Sequence, residues 1–197
     1  MPAGGDMQGR WLAAGMVGIA LAYTAAGAMT DEEHALVEGR RAASELSDTL
    51  RGKLVESLKS GGPVEAMKVC SYQAQVIVRE VFDRERVEVR RTSLKVRNPK
   101  NAPDAYERRI LERMEEQARQ GELPREVFEA AEAGGKKVYR YARPITVGPP
   151  CLTCHGSPQE IPEEVRVLLK ERYPADRATG YKAGDFRGIV SATVPAG

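Results

Sequence analysis

After residue 30, apolar residues recur at three- and four-residue spacing through the first half of the chain. Thr30 followed by Glu33 has the capping-box pattern. Leu36, Ala43, Leu46, Leu50, Leu54 and Leu58 then share one stripe until Gly61-Gly62, which predicts a long amphipathic helix. Pro63 stands where a first helical residue would. Ala66, Met67, Cys70, Ala74 and Ile77 continue at helical spacing and predict a second helix, with Cys70 on its apolar face and Lys68, Gln75 and Arg79 on the other. Val87, Val89, Leu94 and Val96 predict extended chain that ends at Asn98-Pro99. Pro103 opens a third helix with Tyr106, Ile110, Met114 and Ala118 on one face, closed by Gly121. A short helical piece is expected over 127–133, followed after Gly134-Gly135 by an alternating strand, Lys137 to Ala142. Pro144, Gly148, Pro149 and Pro150 read as an irregular loop, Val165 to Leu169 as a brief amphipathic helix, and Phe186 to Val194 as a final strand. Amphipathic helices first and a small antiparallel sheet later make one α+β domain.

Composition adds boundaries. The 197 residues carry 30 basic and 28 acidic side chains, for a formal net charge of +2. This balance gives no electrostatic case for nucleic acid, which calls for a strongly basic face. A hydrophobic fraction of 42 % and a charged fraction of 29 % suit a globular chain with a core. The first 28 residues have a different character. Arg10 precedes an apolar run from Trp11 to Tyr23, and Ala26-Gly27-Ala28 supplies a small-residue cleavage pattern. This is the layout of a secretory signal peptide. The run is also shorter than the roughly 20 residues a spanning helix needs. The expectation is a signal peptide at 1–28 and a mature domain at 29–197, exported to the periplasm. The alternative is membrane anchorage through an uncleaved N-terminal segment.

The candidate chemistry lies in Cys151-Leu152-Thr153-Cys154-His155. In a C-x-x-C-H motif the two sulfurs stand about one helical turn apart. That spacing matches the two haem vinyl groups, and the next residue supplies the proximal histidine. Three other readings compete. A thioredoxin-like pair belongs between a strand and a long helix, whereas here Gly148-Pro149-Pro150 precedes the motif and Gly156-Ser157-Pro158 follows it. A structural disulfide leaves His155 unexplained. Zinc would have to recruit Cys70 to reach four ligands, because the chain has only three Cys and two His. The motif therefore predicts one covalent haem c, attached through Cys151 and Cys154 and ligated by His155.

A second axial ligand has few candidates. His34 stands beside Glu32 and Glu33, Met67 and Cys70 share the second helix, and Met114 lies on the third. With Cys151 and Cys154 used, Cys70 is an odd cysteine in an oxidising compartment. It is equally well read as a small buried apolar residue.

Several blocks together resemble a known family: Ala66-Met67-Lys68-Val69-Cys70, then Val96 to Asp104 (Val-Arg-Asn-Pro-Lys-Asn-Ala-Pro-Asp), Arg143-Pro144-Ile145, Cys151 to Gly156, and Tyr181 to Gly188. The family is that of exported PAS-like c-type haem domains, long catalogued as a domain of unknown function. The resemblance covers the chain from about Thr30 onward. It implies a PAS-like fold and haem iron held by His155 and Cys70. It further implies a role in redox or gas sensing or in electron transfer. Arg97 and Asn98, in a polar loop, are candidates for holding haem propionates, or for a turn that caps the third helix at Asn101 and Pro103.

The expected function is a monohaem cytochrome acting in electron transfer or redox sensing with an unidentified redox or signalling partner protein. The alternative is a diatomic-gas or redox sensor domain, which needs a partner protein because no effector segment is read in the sequence. A haem enzyme would require an open iron and distal acid–base groups, and His34 is the only spare histidine. No catalytic residue is therefore expected.

Overall fold

The computed structural model describes residues 28–197. The expected signal peptide lies outside them except for Ala28. Helix α1 spans Asp31–Lys68 and opens with the reciprocal Thr30/Glu33 capping box. Gly62, at φ 70° and ψ −165°, interrupts it. Only glycine adopts such a backbone without a steric penalty, so the break expected between two helices is a sharp kink. The chain then passes through a π-helical turn, Val69–Gln73, into α2, Ala74–Glu85. Four strands follow, with other elements between them: β1 Glu88–Thr92, β2 Val127–Ala133, β3 Lys136–Thr146 and β4 Phe186–Pro195. They form one antiparallel sheet in the order β1-β4-β3-β2. Helix α3 spans Ala105–Gln120, α4 Pro149–His155 and α5 Glu163–Arg172.

Both faces of the sheet are covered. On one, Ala42, Ala43, Leu46 and Leu50 of α1 and Ile77 and Val81 of α2 pack on Val89, Tyr139, Tyr141, Val190 and Ala192. On the other, Ile110, Leu111 and Met114 of α3 pack on Ala142 and Ile189. The α1 stripe predicted from sequence is this buried stripe, and Leu54 continues it to the edge of a cavity. Gly39 lets α1 lie close to the sheet, because a Cβ there would stand 2.9 Å from Cβ of Tyr141.

Three sequence expectations need correction. Residues 127–133 form strand β2 and not a helix. Gly134 and Gly135, at φ 58° and 76°, make a two-residue hairpin turn of the kind that matches strand twist. Phe128 then stacks on Tyr139 with centroids 5.5 Å apart. These cross-strand contacts override the helical preference of the Glu/Ala run. The stretch read as an irregular loop is mostly regular. Pro144 lies in β3 beyond Ala142, where the pairing with β2 has ended, so its missing N–H is tolerated as on an edge strand. Pro149 and Pro150 occupy the first turn of α4, where fixed φ is favourable. The α3 cap is Asp104, one residue past Pro103. Its carboxylate accepts the Glu107 amide at 2.7 Å, and the Glu107 carboxylate accepts the Asp104 amide at 2.9 Å.

Gly188 is the tightest backbone approach in the sheet. It sits in β4 at φ 152°, where a Cβ would meet the Thr92 carbonyl and stand 2.7 Å from the Ser93 Cβ. Gly188→Ala should lower stability by about 1–3 kcal/mol, measured as a reduced urea midpoint by circular dichroism. An unchanged midpoint would show that β1 and β4 separate there at no cost.

Candidate cofactor site

The C-x-x-C-H segment forms the seven-residue helix α4, capped by Gly148 and ended by Gly156. A Cβ at Gly156 would stand 2.7 Å from the Leu152 carbonyl, so the chain turns away directly after His155. On this short helix Cys151 and Cys154 are one turn apart and face the same side. Both line a cavity of about 1000 Å³, counting its open mouth. His155 and Cys70 line it as well. Its apolar walls come from Leu54, Val96, Ile145, Val147 and Pro150.

The four sequence candidates for a second ligand separate cleanly. Cys70, in the π-helical turn, reaches the cavity. Met67 packs instead with Ile161, Val165 and Leu169, and Met114 is buried beneath the opposite face of the sheet. His34 is 66 % exposed and lies 3.5 Å from Glu38. The buried face expected for the second helix is thus split: Ala74 and Ile77 join the core, while Cys70 is only half-buried.

The surroundings tune each group. Nδ1 of His155 is 2.6 Å from the Ala178 carbonyl. The ring therefore donates from Nδ1, and Nε2 carries the free lone pair, as in histidines oriented for a metal. Burial, then the charges of Arg97 and Arg187, hold its pKa well below the usual value and keep the imidazole neutral. Burial, and after it the nearby Cys70, pushes the Cys154 thiol up to about 11. Tyr181 sits edge-on to His155 with centroids 6.3 Å apart.

Arg97 organises the wall behind the histidine. It donates from Nε to Asp176 at 2.9 Å and through one terminal nitrogen to the carbonyls of Cys154 at 2.6 Å and Ala178 at 3.3 Å. Asp176 in turn accepts the Ala178 amide at 2.8 Å. The backbone of Gly180 and Tyr181 bonds to Gly156 and His155 at 2.8 and 3.0 Å. Arg97 lines the cavity as the sequence led us to expect, and the hydrogen bonds it makes to protein give it the role of a clamp. Asn98 also lines the cavity, and its side-chain oxygen caps the 3₁₀ turn Pro99–Asn101 through the Lys100 amide at 3.0 Å. Among the described residues no group of three His, Cys, Asp or Glu side chains is placed to hold a bare metal ion.

The sequence profile of Tll0287-like proteins matches residues 24–195. The chain belongs to the Tll0287-like family. A solved structure, that of the cyanobacterial haem protein Tll0287, superimposes with a TM-score of 0.63 at 27 % identity, covering 85 % of this chain and 97 % of that one. No curated protein matches. The resemblance read from the sequence is thus a family relation, and the Tll0287-like fold is the α+β arrangement described above.

Sequence reasoning alone missed Asp176, Ala178, Arg91 and Arg187 in this Tll0287-like site. Asp176 lies 79 positions from Arg97, and Ala178 acts through its carbonyl, which no side-chain pattern reveals. Arg97 and Asp176 are 10 % and 11 % exposed. Arg97→Ala leaves the carboxylate buried without its partner and should cost about 3–5 kcal/mol, read from urea unfolding. A loss below about 1 kcal/mol would show that the clamp contributes nothing.

Proposed function

We propose that this chain is an exported monohaem c-type cytochrome of PAS-like fold, acting in electron transfer. The observation that carries this reading is the convergence of Cys70, Cys151, Cys154 and His155 on one cavity, with His155 already turned to offer Nε2. The four-stranded antiparallel sheet, with a cavity between its helical face and the connecting segments, supports the PAS-like reading. The relative Tll0287 is described as a haem protein, which supports haem as the cofactor.

In this reading Cys151 and Cys154 would hold the haem through thioethers, and His155 and Cys70 would ligate its iron. Haem, when bound, provides one-electron chemistry at its iron. A thiolate from Cys70 would donate electron density to the iron, favour the ferric state and lower the potential. Leu54, Val96, Ile145 and Val147 exclude water from the cofactor faces. Asn98 is at the polar rim, where its amide can reach a propionate. With protein side chains as both proposed ligands of the iron, we read the chain as a carrier and not an enzyme.

A second reading, a redox or diatomic-gas sensor working through a partner protein, is favoured by one observation. Cys70 lies in a π-helical turn, an irregularity common at functional sites, where loss of the ligand would let the helix shift. Ready binding of carbon monoxide by the reduced protein favours sensing, and refusal favours electron transfer.

Acid–acetone extraction should leave one haem on each polypeptide, and Cys151→Ala with Cys154→Ala should abolish retention. Colourless protein from a host with working haem-attachment machinery overturns the reading. Cys70→Ser should replace a low-spin thiolate-type ferric paramagnetic resonance spectrum by another species and raise the reduction potential. An unchanged spectrum would show that the thiol only packs.

Export and cleavage are part of the proposal. Among the described residues no helix is long and apolar enough to cross a membrane. The mature N-terminus in the exported fraction should lie near Met29, whereas an intact N-terminus in the membrane pellet would make residues 1–28 an anchor.

A further inference from the structure

Strand β1 alternates so that Val89 and Arg91 point to the face covered by α1 and α2. Val89 belongs to the core on that face, and Arg91 pairs in register with Val190, another member of it. An arginine at a core-facing position needs a reason. Arg91 is half-buried and lines the cavity. Among the described residues no carboxylate or carbonyl accepts a hydrogen bond from it, whereas its neighbour Arg90 donates to the Ala102 and Lys100 carbonyls at 2.7 and 3.2 Å.

The charge balance of the cavity points the same way. Three guanidinium groups line it, Arg91, Arg97 and Arg187, and no carboxylate does. Asp176 neutralises Arg97 from behind the wall. Arg187 donates to the Ser93 hydroxyl and the Lys95 carbonyl, which satisfies hydrogen bonds without cancelling charge. Two positive charges therefore remain uncompensated beside apolar walls, an arrangement that is costly unless an anion completes it. A guanidinium fork matches a carboxylate bidentately.

We propose that Arg91 binds a haem propionate, using the donors that the protein leaves free, with Arg187 supplying the remaining positive charge at the same rim. This inference rests on the reading that the cavity holds haem. It places a propionate contact on strand β1, ahead of the segment that carries Arg97, and makes Arg91 a positioning residue for the cofactor.

The test uses the haem-loaded protein and its Arg91→Gln and Arg91→Lys variants. Thioether attachment does not involve Arg91, so all three should carry one haem per polypeptide. In Arg91→Gln the propionate bending band in the resonance Raman spectrum should shift, and the reduction potential should fall because a positive charge near the iron is lost. Arg91→Lys keeps the charge but not the fork, so the potential should return towards that of the parent while the band stays partly shifted. An unchanged propionate band in Arg91→Gln at full haem content overturns the proposal and leaves the haem reading intact. Should Arg91→Gln fail to accumulate, an unchanged band in Arg91→Lys has the same force. Absence of haem from the parent protein overturns the underlying reading instead.

Discussion

The buried ion pair between Arg97 and Asp176 is the contact on which the site depends. Helix α4 has seven residues, too few to hold its own geometry in water. Its position comes from outside, through the guanidinium that grips the Cys154 carbonyl and the loop that places the Ala178 carbonyl beneath His155. One carboxylate holds both ends of this arrangement, since Asp176 accepts from Arg97 and from the Ala178 amide. A buried ion pair is not a generous source of stability, because desolvation offsets most of its attraction. Its value here is directional, as it fixes which nitrogen of His155 faces the cavity.

The rest of the fold supplies a frame rather than chemistry. The two helical layers bury the sheet from both sides, and the cavity opens where the α1 stripe runs out at Leu54 and β3 outlasts its pairing with β2. Gly188 lets β4 close against the end of β1 and so brings Thr92 and Ser93 to the cavity rim. Apolar side chains from α1, α4, β3 and the connecting segments meet polar groups from β1, β4 and the loops, as expected for an amphiphilic ligand.

Much of this was legible in the sequence because it is periodic or local. The α1 stripe, the Thr30/Glu33 box and the C-x-x-C-H spacing are all encoded within a few turns of chain. The glycine pair at 134–135 was visible too, but its consequence for residues 127–133 was not. Ala and Glu favour helix locally, and only a hairpin partner reverses that preference. Cys70 was readable from its spacing as a helical residue, and from the family resemblance as a ligand, but spacing alone did not place it at the cavity. Its separation from Met67 depends on the packing of α5 and on a π turn that no propensity announces. Asp176 and Ala178 were silent because a clamp across 79 positions and a backbone carbonyl leave no local pattern.

That π turn also limits how the gene can vary in length. An α-helix advances about 100° per residue, and a π turn accommodates an extra residue within its ring. The face that sets Met67 against α5 and the face that sets Ile77 in the core are therefore joined by a segment whose residue count fixes their relative angle. Loss of one residue between Val69 and Gln73 would leave a better-formed helix by every local measure. Because the wide turn absorbs that residue, its loss would leave Ile77 and Val81 near their present phase, whereas loss of a further residue would turn them about 100° away from the sheet. Substitutions here are judged by chemistry, but insertions and deletions are judged by phase.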